Sequence, residues 1–331
     1  MSASAPSVPG RRASGRPGPR ARRTPARLRQ RLTVLSFIAP ALVGIVVFFL
    51  YPLASAVYFS FTKFDLLSAP EWVGLRNYRH LAEDPFLLQA ARNTLWLVVV
   101  LVPVRIAAAI GTGALLTSLR RGADVYRTIF YLPALVPPVA ATIAFVYLFK
   151  PGSGPVNVVL GHLGVDGPLW FNSPTWAKPS LVLLGLWGVG DVMIIFLAAL
   201  LDVPQSLYEA AALDGAGAVK RFRYVTLPSI SPVILFAAVT GVIYTLQYFT
   251  QAAVAGSVAS GQATTGAGIS QNFGYPEGST FTYPLWLYVV GFRYSALGYA
   301  NAMAVVLFAV ALAVTVLLMR RGRAFSGEGA A

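Results

Sequence analysis

Few residues of this chain have side chains that could perform acid-base or metal chemistry. The 331 residues include 12 acidic side chains, two histidines and no cysteine. Because His80 and His162 belong to different predicted loops, we expect neither a histidine metal site nor a cofactor. Catalysis needs titratable groups that lie close together, whereas those inside the apolar segments are widely separated. The composition therefore argues against an enzyme.

A site for ATP hydrolysis is also missing from the sequence. Such a site needs a loop of the form Gly-x4-Gly-Lys-Ser/Thr, whose backbone amides and lysine hold the phosphates. The segment from Gly215 to Lys220 comes nearest, but it has Val219 in place of the second glycine and Arg221 in place of the hydroxyl. Any energy from ATP must come from a separate subunit.

Two charged residues, Arg105 and Asp191, lie inside long apolar segments. An isolated charge at mid-membrane costs at least about 2.5–3.5 kcal/mol on insertion scales. Arg105 lies 14 residues before Leu119, and Asp191 lies 10 residues before Leu201, which puts them roughly 21 and 15 Å above the inner ends of their helices. We predict that the two side chains approach each other inside the helix bundle. The alternative is that one or both face a water-lined cavity.

Several aromatic and polar side chains of the apolar segments could hold a hydroxyl-rich ligand, since aromatic rings pack on apolar faces and amides bond to hydroxyl groups. The candidates for a substrate path are Trp187, Asp191, Tyr244, Gln247, Tyr248 and Asn301. For the aromatic residues, helix packing or an interfacial belt is an equally good explanation. Interhelical hydrogen bonding explains the two amides equally well.

Long apolar segments must position these side chains. The chain is 56% hydrophobic and 11% charged, and a helix of about 20 apolar residues crosses roughly 30 Å of hydrocarbon. Six segments are long enough: Thr33–Phe59, Thr94–Leu119, Thr128–Phe149, Pro179–Leu201, Ser229–Ala253 and Gly298–Met319. Tyr283–Phe292 is too short and is expected to be an interfacial or re-entrant piece. The sequence predicts an all-α integral membrane fold with six transmembrane helices.

The orientation follows from the basic residues, which concentrate on one side of the predicted spans. If the N-terminus is inside, 18 of the 26 Lys and Arg residues lie on the cytoplasmic side and 6 on the outer side. The positive-inside rule therefore places both termini in the cytoplasm. We expect a six-span domain over 32–320, between cytoplasmic tails at 1–31 and 321–331.

The N-terminal tail carries nine arginines and no acidic residue within 1–31. Its Pro/Ala/Ser-rich composition predicts a disordered segment that lies against anionic lipid. Nucleic-acid binding is disfavoured because no aromatic residue interleaves the arginines. Ala54-Ser55-Ala56 resembles a signal cleavage site, but the preceding apolar run is too long for a signal peptide, so we treat the first span as a retained anchor.

The cytoplasmic connection 202–228, called the coupling segment below, has a pattern of two short helices. Ser206 and Glu209 form a capping-box pattern that predicts a helix from Leu207. Gly215 is expected to end that helix with a positive φ, and a second helix should run from about Ala218 to Tyr224 until Pro228 stops the chain. Such short helices are marginal alone, so we expect another protein to pack on them. An ordinary helical hairpin is the plainer alternative.

The coupling segment resembles the EAA loop of binding-protein-dependent ABC importer permeases. The matching residues are Glu209, Ala210, Ala211, Asp214, Gly215, Ala216, Phe222, Leu227 and Pro228. In that family this loop docks on the ATPase subunit. The resemblance continues in Trp72-Val73-Gly74-Leu75, in Arg127–Pro133 and in Leu297-Gly298-Tyr299-Ala300, which look like the carbohydrate subfamily.

The resemblance implies a five-helix core and the role of a bacterial inner-membrane permease subunit. Its implied partners are ABC ATPase subunits, a second and different permease, and an extracellular solute-binding protein that delivers a sugar. An ion-coupled secondary transporter is the alternative, but it gives no account of the coupling segment. The segment Ala255–Thr282 departs from the family pattern because it is long and rich in Gly, Ser and Thr. We expect this loop to face the binding protein.

Overall fold

A computed structural model describes residues 24–119, 121–261 and 274–325. The prediction of an all-α fold is confirmed: within these ranges the strands form one antiparallel two-residue pair, β1 (Thr62–Lys63) and β2 (Glu71–Trp72). The chain divides into two units, residues 1–55 and 56–331. The helices are α1 (Thr24–Ile45), α2 (Tyr51–Ser60), α3 (Arg76–Glu83), α4 (Pro85–Ser118), α5 (Ala123–Tyr131), α6 (Pro138–Leu148), α7 (Pro155–His162), α8 (Ala177–Trp187), α9 (Gly190–Leu201), α10 (Gln205–Leu213), α11 (Ala218–Arg221), α12 (Leu227–Ser229), α13 (Ser231–Leu246), α14 (Thr250–Ala259), α15 (Tyr283–Tyr288) and α16 (Leu297–Phe325).

Helices begin or continue inside both predicted terminal tails. Helix α1 begins at Thr24, inside the predicted tail of residues 1–31. Pro25 fits the first turn of a helix, and the following Ala, Leu, Arg and Gln residues are good helix formers. Helix α16 continues to Phe325, inside the predicted C-terminal tail. Residues 1–23 and 326–331 lie outside the described residues.

Three helices of the described chain are long and apolar enough to cross a membrane: Thr33–Ser60, Pro85–Ser118 and Leu297–Arg321. The other candidate spans are helix pairs. The helix Ala123–Leu135 meets α6 at a bend of 99°, α8 meets α9 at 51°, and the helix Ala218–Ser229 meets α13 at 66°. The count reaches the predicted six when each bent pair is taken as one span.

The bends have local causes that the hydropathy pattern does not display. Between α5 and α6 the sequence has Pro133, Pro137 and Pro138, which remove backbone donors and restrict the residues before them. Between α8 and α9 the helix breaks at Gly188 and Val189.

Helix α4 is the centre of the domain. It contacts α8, α9, α13 and α15, and α13 also packs against α16. At one end of the domain, Ala90, Leu285 and Met303 are buried between α4, α15 and α16. At the other, Met193 and Phe196 of α9 are buried near the coupling segment. This arrangement holds α4 and α9, which carry the two intramembrane charges, side by side.

The described end of the loop after α14, residues 274–282, is more buried than the prediction of an external loop suggests. Asn93 of α4 donates hydrogen bonds to the carbonyl oxygens of Gly278 (2.8 Å) and Phe281 (2.9 Å), and Thr282 is fully buried. Helix α15 and the π-helical turn that follows it occupy the predicted short piece Tyr283–Phe292. Residues 262–273 of the loop lie outside the described residues.

Asp84, the N-cap of α4, is a buried carboxylate with four donors. Its Oδ1 accepts from the backbone N–H groups of Phe86 (2.9 Å) and Leu87 (3.2 Å). Its Oδ2 accepts from Trp286 Nε1 and the Tyr299 hydroxyl, both at 2.8 Å. Burial raises the pKa of the Asp84 carboxyl, but these hydrogen bonds outweigh it and hold the pKa below its ordinary value. Asp84 therefore ties α4 to α15 and α16.

We expect Asp84→Asn to destabilise the folded chain by about 1–3 kcal/mol, because the new amide donor would face the Trp286 N–H and leave that buried donor unsatisfied. Thermal unfolding of the purified importer measures this. Asp65→Asn, at an exposed loop aspartate, is the matched control and should leave the unfolding temperature unchanged. An equal shift of the unfolding temperature in the two variants would contradict the prediction.

The contribution of Asp84 to stability also depends on pH. Since the folded pKa of Asp84 is lowered, its stabilisation of the fold is present above the unfolded pKa of about 3.9 and is lost as pH falls through the folded pKa.

Candidate functional site

A cavity of about 470 Å³ lies between α4, α6, α8, α9, α13 and α14, beside the break between α8 and α9. Four of the six residues predicted for the substrate path line it, together with Arg105. These residues are Trp187, Asp191, Tyr244 and Tyr248. The walls between them are apolar, with Leu101, Val102 and Phe236 among the lining side chains.

Arg105 and Asp191 meet in this cavity. Nη2 of Arg105 donates to Oδ1 and Oδ2 of Asp191 at 2.8 and 2.9 Å, and the two side chains are 18% and 52% exposed. The same nitrogen donates to the carbonyl oxygen of Gly188 at 3.2 Å, at the break between α8 and α9. The geometry thus combines both expectations, since the charges pair and also border the cavity.

Tyr244 and Gln251 extend the polar wall of the cavity. Nε2 of Gln251 donates to the Tyr244 hydroxyl at 2.8 Å, and the Arg105 guanidinium lies 5.7 Å from the centre of the Tyr244 ring. Tyr248 is only 2% exposed, and its hydroxyl lies 3.5 Å from the Leu181 carbonyl oxygen. Tyr244 therefore presents more ring surface to a ligand than Tyr248 does.

The two remaining residues of the predicted path lie elsewhere. Gln247 is the exposed C-cap of α13, and Asn301 donates to the carbonyl oxygen of Leu297 on its own helix at 2.8 Å. Sequence reasoning missed Gln251 because it treated 229–253 as one continuous helix. The break between α13 and α14 changes which residues face the cavity. The sequence signal that could have identified Gln251 is its position four residues, about one helical turn, after Gln247.

This pair of glutamines provides a matched test of the cavity. We expect Gln251→Ala to raise the KM of substrate uptake by about two- to twelvefold, because a neutral hydrogen bond contributes about 1 ± 0.5 kcal/mol. Gln247→Ala removes the same side chain outside the cavity and should change the KM less than twofold. Uptake kinetics in reconstituted vesicles measure both. A larger effect for Gln247→Ala would contradict this placement.

The first helix of the coupling segment ends as predicted but begins earlier. Helix α10 starts at Gln205, with Pro204 as N-cap and no side-chain cap, so the predicted Ser206–Glu209 capping box is wrong. Pro204 fixes an extended turn (ψ 129°) directly before the helix, which places Ser206 inside the first turn.

Gly215 closes α10 with φ +76°. The N–H of Gly215 donates to the Ala212 carbonyl (3.1 Å), and the N–H of Ala216 donates to the Ala211 carbonyl (2.9 Å). These two bonds form a Schellman motif, which needs a left-handed residue at the glycine position.

The second helix continues further than predicted. Helix α11 passes through a π-helical turn, Phe222–Thr226, into α12, and the bend lies at Ile230. The prediction that Pro228 stops the helix is therefore wrong. The wide turn, in which the Leu227 N–H bonds to the Phe222 carbonyl, gives the proline ring the room that an ordinary α-helical turn denies it.

The coupling segment presents a small, bent, exposed surface. Six of its nine predicted contact residues are exposed, and Ala211, Ala216 and Leu227 are partly buried. Apolar side chains also protrude, with Leu213 at 91%, Val219 at 81% and Tyr224 at 69% exposure. The Tyr208 hydroxyl lies 3.0 Å from the Thr226 hydroxyl and links the two helices. The segment has the form of a docking surface.

Comparison with known proteins agrees with this geometry. Residues 106–321 match the family described as binding-protein-dependent transport system inner membrane component. The chain is 35% identical over 288 residues to a probable ABC transporter permease protein, YesP, of Bacillus subtilis, covering 86% of this chain and 88% of YesP. It is 32% identical to AraP, an arabinooligosaccharides transport system permease protein of the same organism, covering 88% and 89%.

A solved structure shares the fold. It is a bacterial ABC transporter involved in the import of the acidic polysaccharide alginate, with a TM-score of 0.71, 20% identity, and coverage of 90% of this chain and 97% of that one. The family match covers most of the chain, including α4 from Ile106 onward, the cavity helices and the coupling segment. The chain therefore belongs to the family of binding-protein-dependent transport system inner membrane components, as a permease subunit of an ABC importer.

Proposed function

We propose that this permease carries an oligosaccharide through the cavity between α4, α9 and α13, driven by an ATPase subunit that docks on the coupling segment. ABC importer permeases are not themselves enzymes, since ATP hydrolysis takes place on a separate subunit. A binding protein outside the membrane delivers the substrate, and a second permease completes the path.

The observation that carries the proposal is the exposed surface around Gly215. A free surface with Leu213, Val219 and Tyr224 protruding into solvent would be unfavourable without a partner. The small residues Ala210 and Ala211 leave a nearly smooth helix face that suits insertion into a cleft. This supports docking on the ATPase.

The sugar assignment is supported by the lining of the cavity and by the names of the relatives. Trp187 and Tyr244 offer partly exposed rings, at 39% and 47%, and Asp191 and Gln251 offer hydrogen-bonding groups. AraP is named for arabinooligosaccharides, and the alginate importer for a polysaccharide. We extend the substrate class, oligosaccharide, to this chain.

Reconstitution tests the proposal against ion-coupled transport. The importer is purified with its partner subunits, placed in proteoliposomes and supplied with its binding protein and a panel of labelled oligosaccharides. We expect uptake of at least one sugar to require ATP and to persist when ionophores remove all ion gradients. Uptake that follows an imposed ion gradient without ATP would overturn the proposal.

A further inference from the structure

Resting on the proposed function, we infer that the cavity selects uncharged oligosaccharides over acidic ones. The fold does not fix this choice, because a structural neighbour is involved in the import of an acidic polysaccharide, whereas AraP is named for arabinooligosaccharides, which are neutral. The charge of this chain's part of the cavity wall is therefore the property from which we infer the preference.

The wall of the cavity carries one full positive and one full negative charge. Among the described residues that line it, Arg105 is the basic side chain and Asp191 the acidic one, and the others are apolar, aromatic, hydroxyl or amide groups. The two charges lie 2.8 Å apart, so their fields largely cancel at the distance of a bound sugar. The cavity thus offers little attraction for a net charge of either sign.

The pair is also oriented against an anion. Arg105 uses Nη2 for Asp191 and for the Gly188 carbonyl, and its Nε is buried without a hydrogen-bond partner in the described part of the chain. Asp191 is 52% exposed, so its carboxylate is the more accessible charge of the two. A uronate carboxylate entering the cavity would meet this carboxylate and would have to displace it from the guanidinium.

An uncharged sugar avoids that conflict. Sugar hydroxyls are donors as well as acceptors, so they can donate to the exposed oxygens of Asp191 while the ion pair stays intact. Such hydrogen bonds to a charged acceptor are the stronger kind. The rings of Trp187 and Tyr244 can pack against apolar sugar faces without regard to charge. The cavity of about 470 Å³ lies within the usual range for small ligands.

The test measures sugar binding to the purified importer in nanodiscs, without binding protein, by the fluorescence of Trp187. A Trp187→Phe variant assigns the signal among the six tryptophans of the chain. The probes are a panel of uncharged trisaccharides and a panel of uronate trisaccharides. We expect an uncharged probe to bind wild type at least about tenfold more tightly than every uronate.

Variants of the cavity wall then show whether its charge, rather than its shape, sets the affinity for uronates. Asp191→Asn leaves Arg105 without its counter-charge and is expected to tighten uronate binding by about tenfold or more. Arg105→Gln combined with Asp191→Asn restores a neutral wall and should show no such gain. Asp166→Asn, at an exposed aspartate in a predicted outer loop, makes the same change in net charge outside the cavity and should bind like wild type.

The outcomes distinguish this inference from the proposed function. Uronate binding to wild type as tight as that of the uncharged probes would overturn the inference, while ATP-driven uptake of those uronates would leave the proposed function standing. Equal uronate gains in Asp191→Asn and in the double variant would also overturn it. If neither panel binds and neither drives ATP-dependent uptake, the sugar function itself fails. If Asp191→Asn does not assemble, the preference of wild type for the uncharged panel over the uronate panel decides, and equal affinity for the two panels overturns the inference.

Discussion

Gly215→Val is expected to abolish substrate-stimulated ATP hydrolysis while leaving membrane insertion intact. The Schellman motif holds Gly215 at φ +76°, a conformation that costs a residue with a Cβ about 1–2 kcal/mol, and a β-branched residue is a still stronger outlier there. A cost of that size changes a two-state population roughly 5- to 30-fold. A Cβ would meet nothing within 4 Å in this chain, so the effect comes from the backbone and from the lost room for the docked ATPase.

Gly152→Val is the matched control for this variant. Gly152 has φ +74°, and a Cβ there also meets nothing within 4 Å, but it lies in the loop between α6 and α7. The backbone strain is the same, whereas the coupling segment is untouched. We expect Gly152→Val to retain most of the substrate-stimulated ATPase activity of the reconstituted complex. Full stimulation in Gly215→Val, or equal loss in the two variants, would contradict the coupling role.

Reversing either intramembrane charge is expected to have an equally large effect. Arg105→Asp would place two carboxylates against each other, and Asp191→Arg two guanidinium groups. Removing one partner of a fully buried pair typically costs 3–5 kcal/mol. The cost is smaller here because Asp191 is 52% exposed, but a reversal adds repulsion between like charges, so we expect each single variant to lose assembly or transport. The double exchange, Arg105→Asp with Asp191→Arg, should recover part of both.

Full recovery in the double exchange is not expected. Asp191 lies in the first turn of α9, where a carboxylate is favoured by the helix dipole and an arginine is not. The exchanged pair also loses the hydrogen bond from Arg105 to the Gly188 carbonyl. Assembly yield and ATP-dependent uptake of the four proteins form the cycle. A double variant no better than the worse single one would contradict the functional pairing.

Hydropathy and charge identify the membrane fold, because the membrane imposes length and composition on any segment that crosses it. They do not reveal the bends, since a broken helix and a straight one have the same composition. The proline cluster at 133–138 is visible in the sequence and predicts a break in the helix. The 99° angle between the two helices at that break depends on packing, which the sequence pattern does not show. The break at Gly188 could not be predicted from composition either. At this break the Gly188 carbonyl oxygen accepts a hydrogen bond from Arg105.

For the site as well, features set by neighbouring residues could be predicted from the sequence, and features set by distant contacts mostly could not. The end of α10 at Gly215 follows from a local rule about glycine, so the sequence was sufficient. The start of α10 was misjudged because two local signals, Pro204 and the Ser206–Glu209 pattern, competed, and proline prevailed. Arg105 and Asp191 are 86 residues apart, and only the high cost of unpaired charges in the membrane suggested their contact. The position of Gln251 at the cavity results from the helix break between α13 and α14, and no residue pattern predicts that break.

The central claim is that the coupling segment docks on the ATPase, and cysteine cross-linking tests it most directly. Because the chain has no native cysteine, Leu213→Cys and Leu67→Cys each introduce a single thiol, and both positions are 91% exposed. Leu213 lies in the coupling segment and Leu67 in the predicted outer loop. We predict that a short bifunctional cross-linker joins Leu213→Cys, but not Leu67→Cys, to the ATPase subunit of the assembled importer. Cross-linking of Leu67→Cys to the ATPase, or none from Leu213→Cys in a complex that hydrolyses ATP, would contradict the account.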